Sequence, residues 1–503
     1  MVFLLSLIFI TLSTVNAVSA SSSVIYVNGS HGNDVNDGLS WATAKLTIKN
    51  ATGTVAAGGT VNIANGVYRG TGNTNIIINK SMTIKGQSKG STIINGTNNA
   101  RIFQIEKPIP TEEEPFPEIN VVIQNLTITN GNTTTFTSSV YNKGRLTVKD
   151  IIFKNNTRAI YNSGKLTVNG CTFTGNVVVS PYGGAIINTG TLNITGTTFT
   201  ENKVTSGSGY GGAIYNAGNL TFTSSTFTKN YAPHSASAIY NDKGNLTAHF
   251  NRIAGNNGGY RAIVNYYGTV DAEFNWWGAN NPAETVSISG FTVNKWLILK
   301  LNTNTSSVPI NTNSKITADL RYDNYGTLHT EGSIPDGTPV TFTTNLGTVS
   351  AKAYTFNGIA QSTLKSTLGG TANVSAIVDS QQVSKLVKII DKVPPKVSST
   401  YPKNLATGCS RTSTIYIKFN EKIKASTYWS KIYVKNLNTG KIALISKWIS
   451  GNTIYIKMSS RRYAYNWYQV YIPKAAVKDY FNNNLAGYYT FKFKTGKYPL
   501  TYQ

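Results

Sequence analysis

The chain has 503 residues, room for about three domains. Charged residues make up only 13% of it, against 40% apolar and 11% aromatic, which excludes a coiled coil or charged helical bundle and argues against disorder. Two cysteines (Cys171, Cys409) and four scattered histidines (His31, His234, His249, His329) exclude a disulfide scaffold and leave no basis for a multi-His metal site, and the net charge of +25 is concentrated in residues 391–503, with 19 basic and 3 acidic side chains.

Residues 1–20 (MVFLLSLIFITLSTVNAVSA) read as a secretory signal peptide: an apolar run closed by small residues, without a basic start. No later run is long and apolar enough to span a bilayer, so the sequence predicts an exported chain with no transmembrane segment in its mature form. The cysteines fall in different expected domains, and both are expected free. Ile25-Tyr26-Val27 reads as a first strand. The loop after it, with Asn33, Asp34, Asn36 and Asp37, reads most simply as a turn and alternatively as a calcium loop. Residues 43–57 offer an amphipathic cap, with Leu46, Ile48 and Val55 as its apolar positions.

Irregular strand-like runs follow at 76–78, 82–84, 93–94, 102–103 and 121–128, interrupted by 106–118 (EKPIPTEEEPFPE), a projecting acidic loop. A repeat then takes over. Leu146, Leu166, Leu192, Leu220, Leu246 and Val270 recur at intervals of 20 to 28 residues. Seven residues after each stand Phe153, Phe173, Phe199, Phe227, Ile253 and Trp277, and three further on Asn156, Asn176, Asn202, Asn230, Asn256 and Asn280. Ile160, Ile186, Ile214, Ile239 and Ile263 precede the restarts. Short alternating Thr- and Val-rich runs bounded by Gly and Asn are strands joined by turns, and a coil of this length is one rung of a right-handed parallel β-helix. Stacking puts each slot above itself: the Leu, Phe and Ile slots become core columns. The Asn slot becomes a corner ladder of left-handed turn residues that hydrogen-bond up and down, rather than a row of sugar ligands. Phe274-Asn-Trp-Trp-Gly278 breaks the pattern and is expected to close the core with both tryptophans, an aromatic sugar platform being the alternative.

Gly183-Gly-Ala-Ile186 and Gly211-Gly-Ala-Ile214, with the Phe-x-x-Asn partners at 173–176, 199–202 and 227–230, resemble the repeats of chlamydial polymorphic outer-membrane proteins. The opening strand and loop resemble those of extracellular pectin-lyase-like β-helices. With the Trp-Trp terminator, residues 24–296 resemble adhesin-like surface proteins of methanogenic archaea. That resemblance implies the architecture and, less directly, a binding role.

Residues 297–391, with phrases such as Gly337-Thr-Pro-Val-Thr-Phe342, resemble Ig-like domains of the invasin and intimin type. Residues 392–496, opened by Pro394-Pro395, carry clear strands at 415–419 and 454–458 and a third at 468–472 that stops at Pro473, suiting a strand end or a sheet edge. Phe419-Asn-Glu-Lys-Ile423 and 476–487 resemble the Ig-like domain of surface-layer proteins. The expected class is therefore all-β: a right-handed parallel β-helix followed by two Ig-like β-sandwich domains.

An enzyme on such a shaft needs facing carboxylates. From Asp150 to Glu284 the acids are Asp150, Glu201, Asp242, Asp271, Glu273 and Glu284, at offsets of 4, 9, −4, 1, 3 and 14 from a Leu slot, so they share no column. Arg145 and Arg158 are bases without an evident carboxylate partner. The expected function is that of a secreted adhesin-like protein with no catalytic residues and no required cofactor. Its expected partners are an anionic envelope polymer or surface glycan, or another cell, and not nucleic acid; a secreted β-helix polysaccharide lyase or hydrolase is the alternative. Twelve Asn-X-Ser/Thr sites, among them Asn28, Asn125, Asn193, Asn219 and Asn245, allow glycosylation of an exported chain.

Overall fold

The structure, a computed structural model, describes residues 22–107, 110, 118–132, 138–259, 261–282 and 288–497. The expected leader (1–20), most of the acidic 106–118 loop and Glu284 lie outside the described residues.

The chain is nearly all β. Residues 24–289 build parallel sheets of ten, nine, eight and four strands, in which hydrogen-bonded neighbours are successive coils of the chain. One rung contributes Lys165–Asn169, Thr172–Thr174 and Ile186–Asn188 to the three largest sheets. This is a parallel β-helix. Local sequence explains each strand: in Thr191–Thr195, Leu192 and Ile194 are buried while Asn193 and Thr195 are exposed, the period-two pattern of a half-buried strand.

Register is kept rung to rung, so like packs on like. Leu146, Leu166, Leu192, Leu220, Leu246 and Val270 are successive partners, as are Phe153, Phe173, Phe199, Phe227 and Ile253. The four phenyl rings stack at 4.7, 4.6 and 4.7 Å within 9° of parallel. Each is fully buried, which stabilises the shaft by about 1.5–3 kcal/mol per ring. The Gly-Gly of the Gly-Gly-Ala-Ile phrase has a steric cause. Gly183 and Gly211 adopt left-handed backbone, with φ of 53° and 66°, and a Cβ on Gly184 would stand 2.1 Å from the Gly212 carbonyl oxygen of the next rung.

The open N-terminal end is covered by the helix Ile48–Thr54, capped by Thr47, whose Oγ1 accepts from Asn50 N at 3.3 Å. Ile48, Ala51 and Val55 join the shaft core. Leu46 does not: it precedes the cap residue, off the helix face, and is exposed.

At the other end the two tryptophans part. Trp277 closes the shaft core, whereas Trp276 is buried in the core of the next domain. Adjacent side chains in extended chain point to opposite sides, so one pair of residues fills both. The next domain packs a three-stranded sheet (Leu297–Thr303, Ser314–Asp323, Ile359–Leu364) on a five-stranded one that includes Gly370–Val378 and Gln381–Ile390. The last domain packs four strands (Val397–Tyr401, Ile415–Phe419, Thr453–Met458, Ile445–Ser450) on three (Tyr433–Asn436, Trp467–Ile472, Tyr489–Lys494). Trp467–Ile472 is the middle strand of its sheet, so Pro473 marks a strand end and not an edge. Cys171 and Cys409 form no disulfide.

Candidate functional site

The Asn slot faces inward. Asn156 Nδ2 donates to Asn176 Oδ1 at 2.9 Å, Asn176 to Asn202 at 2.8 Å, Asn202 to Asn230 at 2.9 Å and Asn230 to Asn256 at 2.9 Å. The second amide hydrogen of each goes to a carbonyl of the column below, as from Asn202 to Phe173 O at 3.0 Å, so buried donors and acceptors are matched. The left-handed residues are the ones before the ladder (Asn155, Gly175, Glu201, Lys229, Gly255) and not the ladder asparagines themselves. Turning the chain one residue early is what points each asparagine into the corner. Asn280 leaves the ladder: its side chain donates to Leu299 O at 3.0 Å and accepts from Leu299 N at 2.6 Å, and its backbone N–H donates to Gln381 Oε1. The shaft has ended there and the next sandwich supplies the partners.

A second ladder went unread in the sequence. Asn142, Asn162, Asn188, Asn216, Asn241 and Asn265 are linked amide to amide at 2.6–2.7 Å. It begins abruptly, because the rung before Asn142 carries Ile105 at this position, and Asn142 Oδ1 has no hydrogen-bond partner among the described residues.

These ladders determine what the outer face presents. In the strands Val140–Asn142, Ile160–Asn162, Ile186–Asn188, Ile214–Asn216 and Ile239–Asn241, the first and third residues point inward, so the middle one points out. Those middle residues are Tyr141, Tyr161, Ile187, Tyr215 and Tyr240, in register. A parallel row formed by Tyr182 and Tyr210 lies beside them. Ring centroids are 5.3 Å apart for Tyr141–Tyr161, 4.5 Å for Tyr182–Tyr215, 4.7 Å for Tyr210–Tyr240 and 5.8 Å for Tyr215–Tyr240. Tyr266 and Tyr267 extend the stripe, 58% and 70% exposed. Tyr215 donates its hydroxyl to Asp242 Oδ2 at 2.9 Å. Burial and Asp242 raise the pKa of Tyr215, and they push that of Tyr240 to about 12, so both phenols stay protonated and able to donate. At the other end Arg101 and Lys143 lie over Tyr141, each 5.2 Å from the ring centroid. Lys143 is paired with Glu106 at 3.0 Å, and an aromatic strip edged with hydroxyls, two carboxylates and two cations suits a ligand with apolar faces and a hydroxyl rim. The signal was present in the Ile-Tyr-Asn triplets at 160–162, 214–216 and 239–241, whose middle residue sits between two inward slots.

The other candidate residues have structural occupations. Asp34 accepts from Leu46 N, Thr47 N and Thr47 Oγ1, and Asp37 from Leu39 N, so both carboxylates bind the loop itself. Arg145 pairs with Glu118. Arg158 is buried, donates to the Gly183 and Tyr182 carbonyls, and has its pKa brought down to about 10 by burial. Glu201 pairs with Lys229, and Asp271 with His249. Asn193, Asn219 and Asn245 are exposed on the outer face. Among the described residues, the group that offers a metal three carboxylates is Asp391, Glu421 and Asp479, with ligand oxygens within 4.8 Å of one another. A cleft of about 650 Å³ also opens between shaft and first sandwich, lined by the hydroxyls of Thr198, Thr200, Thr226 and Thr228, by Arg252 and by Asp336.

Residues 391–495 match the family described as bacterial Ig-like domain. No curated protein matches the chain. Among solved structures the chain is similar to the Yersinia pseudotuberculosis adhesin InvE (13% identity over 39% of this chain and 58% of that one, TM-score 0.25). It is also similar to invasin, a bacterial integrin-binding protein (17%, 40% and 40%, TM-score 0.25), and to a C-terminal intimin fragment solved with the translocated intimin receptor's intimin-binding domain (20%, 39% and 64%, TM-score 0.16). The chain thus spans less than two thirds of the length of these three. No helix among the described residues is long and apolar enough to cross a membrane.

Proposed function

We propose that this chain is a secreted, surface-retained, adhesin-like protein of the kind its repeats resemble in methanogenic archaea. Its shaft binds a surface glycan, on a polymer or on another cell, and its basic last domain holds it on an anionic envelope. The observation that carries this reading is the tyrosine stripe: Tyr141, Tyr161, Tyr182, Tyr210, Tyr215 and Tyr240 stand on consecutive rungs of one lateral face. A rigid parallel sheet holds rings at the rung spacing of about 4.8 Å, so the face is pre-organised and loses little entropy on binding an extended chain. The protein acts by binding and does not cleave its ligand. The test is to incubate the purified chain with a panel of neutral and acidic polysaccharides, with and without calcium, measuring both retention and release of new chain ends. Retention without release supports the reading. Release of chain ends would replace it with a polysaccharide lyase or hydrolase.

A further inference from the structure

The four-stranded sheet of the last domain carries an aromatic row unrelated to its core. Tyr401 pairs with Tyr416, Tyr416 with Tyr455, and Tyr455 with Trp448, so four rings occupy the same register position on all four strands. Their centroids are 5.2, 6.4 and 5.4 Å apart. All four point away from the sandwich core, whose share of these strands is Ile415, Ile417, Phe419, Ile454 and Ile456. Tyr416 is 38% and Trp448 44% exposed. Tyr401 and Trp448 lie on the two edge strands, so each has an outer side that no further strand among the described residues covers. No packing requirement places aromatics on a solvated sheet face, and four in one line form a continuous apolar ridge on the order of 14 Å long at the usual strand spacing.

The charge around the ridge is of one sign. Lys418 lies two residues from Tyr416 and Lys457 two residues from Tyr455, on the same face but on opposite sides of the row, because the strands run antiparallel. Residues 391–503 contain only three acidic side chains, and all three are drawn together at the junction with the preceding domain as Asp391, Glu421 and Asp479. The other sheet of this domain carries a shorter row, in which Tyr433 stacks on Tyr471 and Tyr471 on Tyr488, with Lys492 lying over the ring of Trp467.

We propose that the Tyr401–Tyr416–Tyr455–Trp448 row, with Lys418 and Lys457, is a binding site for an acidic polysaccharide bearing uronate carboxylates. Sugar rings pack along the ridge and the carboxylates reach the flanking ammonium groups. This deepens the envelope-retention reading and rests on it. A polymer with charge alone would not need the rings, and a neutral glycan would not need the lysines.

The experiment measures binding of the full chain to polygalacturonate, dextran and single-stranded DNA at two salt concentrations. The variants are Tyr416→Ser/Trp448→Ser, Lys418→Gln/Lys457→Gln and, on the other sheet, Tyr433→Ser/Tyr471→Ser. Thermal unfolding of each verifies that the domain remains folded. The expected result is at least about tenfold weaker polygalacturonate binding for the first variant. The second variant should lose affinity mainly at low salt, and the third should bind as the parent does. Parent-like binding by the first variant would overturn the site while leaving charge-based retention standing. Failure of the parent itself to bind polygalacturonate would overturn both. Tighter binding of DNA than of polygalacturonate, lost in the same variants, would overturn the assignment of ligand class.

Discussion

Trp276 donates its indole N–H to Asp379 Oδ2 at 2.7 Å, joining the last rung of the shaft to a turn 103 residues further along the chain. Arg252, one rung back, donates to the same carboxylate through Nε at 3.1 Å and through Nη2. Ser380 Oγ adds a bond to Gly278 O at 2.9 Å. The terminator therefore works as a socket: Trp277 closes one core while Trp276 and Asp379 lock the next domain onto it. Asp379→Ala leaves a buried indole donor unpaired and should cost about 1–3 kcal/mol. Denaturant unfolding should then show the shaft and first sandwich melting less cooperatively than in the parent. An unchanged unfolding profile would show that apolar contact alone holds the junction.

Within the shaft, Phe199 has a ring neighbour on each side and Asn202 an amide neighbour on each side. Phe199→Ala opens a cavity between stacked rings and should cost about 3–5 kcal/mol. Asn202→Leu removes the acceptor of both the Asn176 backbone N–H and the Asn176 Nδ2 and should cost about 2–4 kcal/mol from two unsatisfied donors. Guanidinium midpoints at constant m-value read both. A smaller effect for Asn202→Leu than for an exposed control such as Thr221→Ala would mean the ladder adds no stability.

On the lateral face, Tyr182→Ala/Tyr266→Ala removes exposed rings without touching the core. It should leave the melting temperature unchanged and weaken glycan retention by about five- to thirtyfold. Equal retention would move the shaft's contact surface elsewhere, the threonine-lined cleft near Arg252 being next in line.

The junction also titrates. His329 packs against Phe274, 4.5 Å between ring centroids, and bonds Glu331 at 2.7 Å and Asp323 at 3.1 Å. Burial pushes the imidazole pKa down, but Glu331 and Asp323 more than offset this and hold it above its ordinary value. A raised histidine pKa contributes stability that is fully present below about pH 6.5 and lost as pH rises through the folded value. His329→Gln should therefore cost more at pH 5.5 than at pH 9. A pH-independent difference would show that the ring acts by packing alone.

Glu421 shifts stability with pH in the same direction, through a carboxyl group whose charged form the fold disfavours. Burial first, then Asp479 and Asp391, raise its pKa. Its charged form is disfavoured in the folded chain, so the parent loses stability as pH rises through that raised value. Glu421→Gln should raise the melting temperature at pH 7.5 and converge with the parent below about pH 4.5. A lower melting temperature at pH 7.5 would mean that the carboxylate is balanced by a cation.

What the sequence alone determined is the one-dimensional part of the molecule. In a solenoid each rung contacts its neighbours, so a slot such as Leu166 or Phe173 meets its own equivalent, and the spacing of equivalents is visible along the chain. Alternation likewise made the strands of the two sandwiches legible. Tertiary structure decided what depends on contacts between non-equivalent positions: the parting of Trp276 from Trp277, the capture of Asn280 by Leu299, and the meeting of Tyr182 with Tyr215. It also assembled Asp391, Glu421 and Asp479, and aligned Tyr401, Tyr416, Tyr455 and Trp448. No periodicity links those residues. Their proximity depends on how one domain docks on another and on the register in which antiparallel strands pair, and both are set by whole-surface packing rather than by any local pattern.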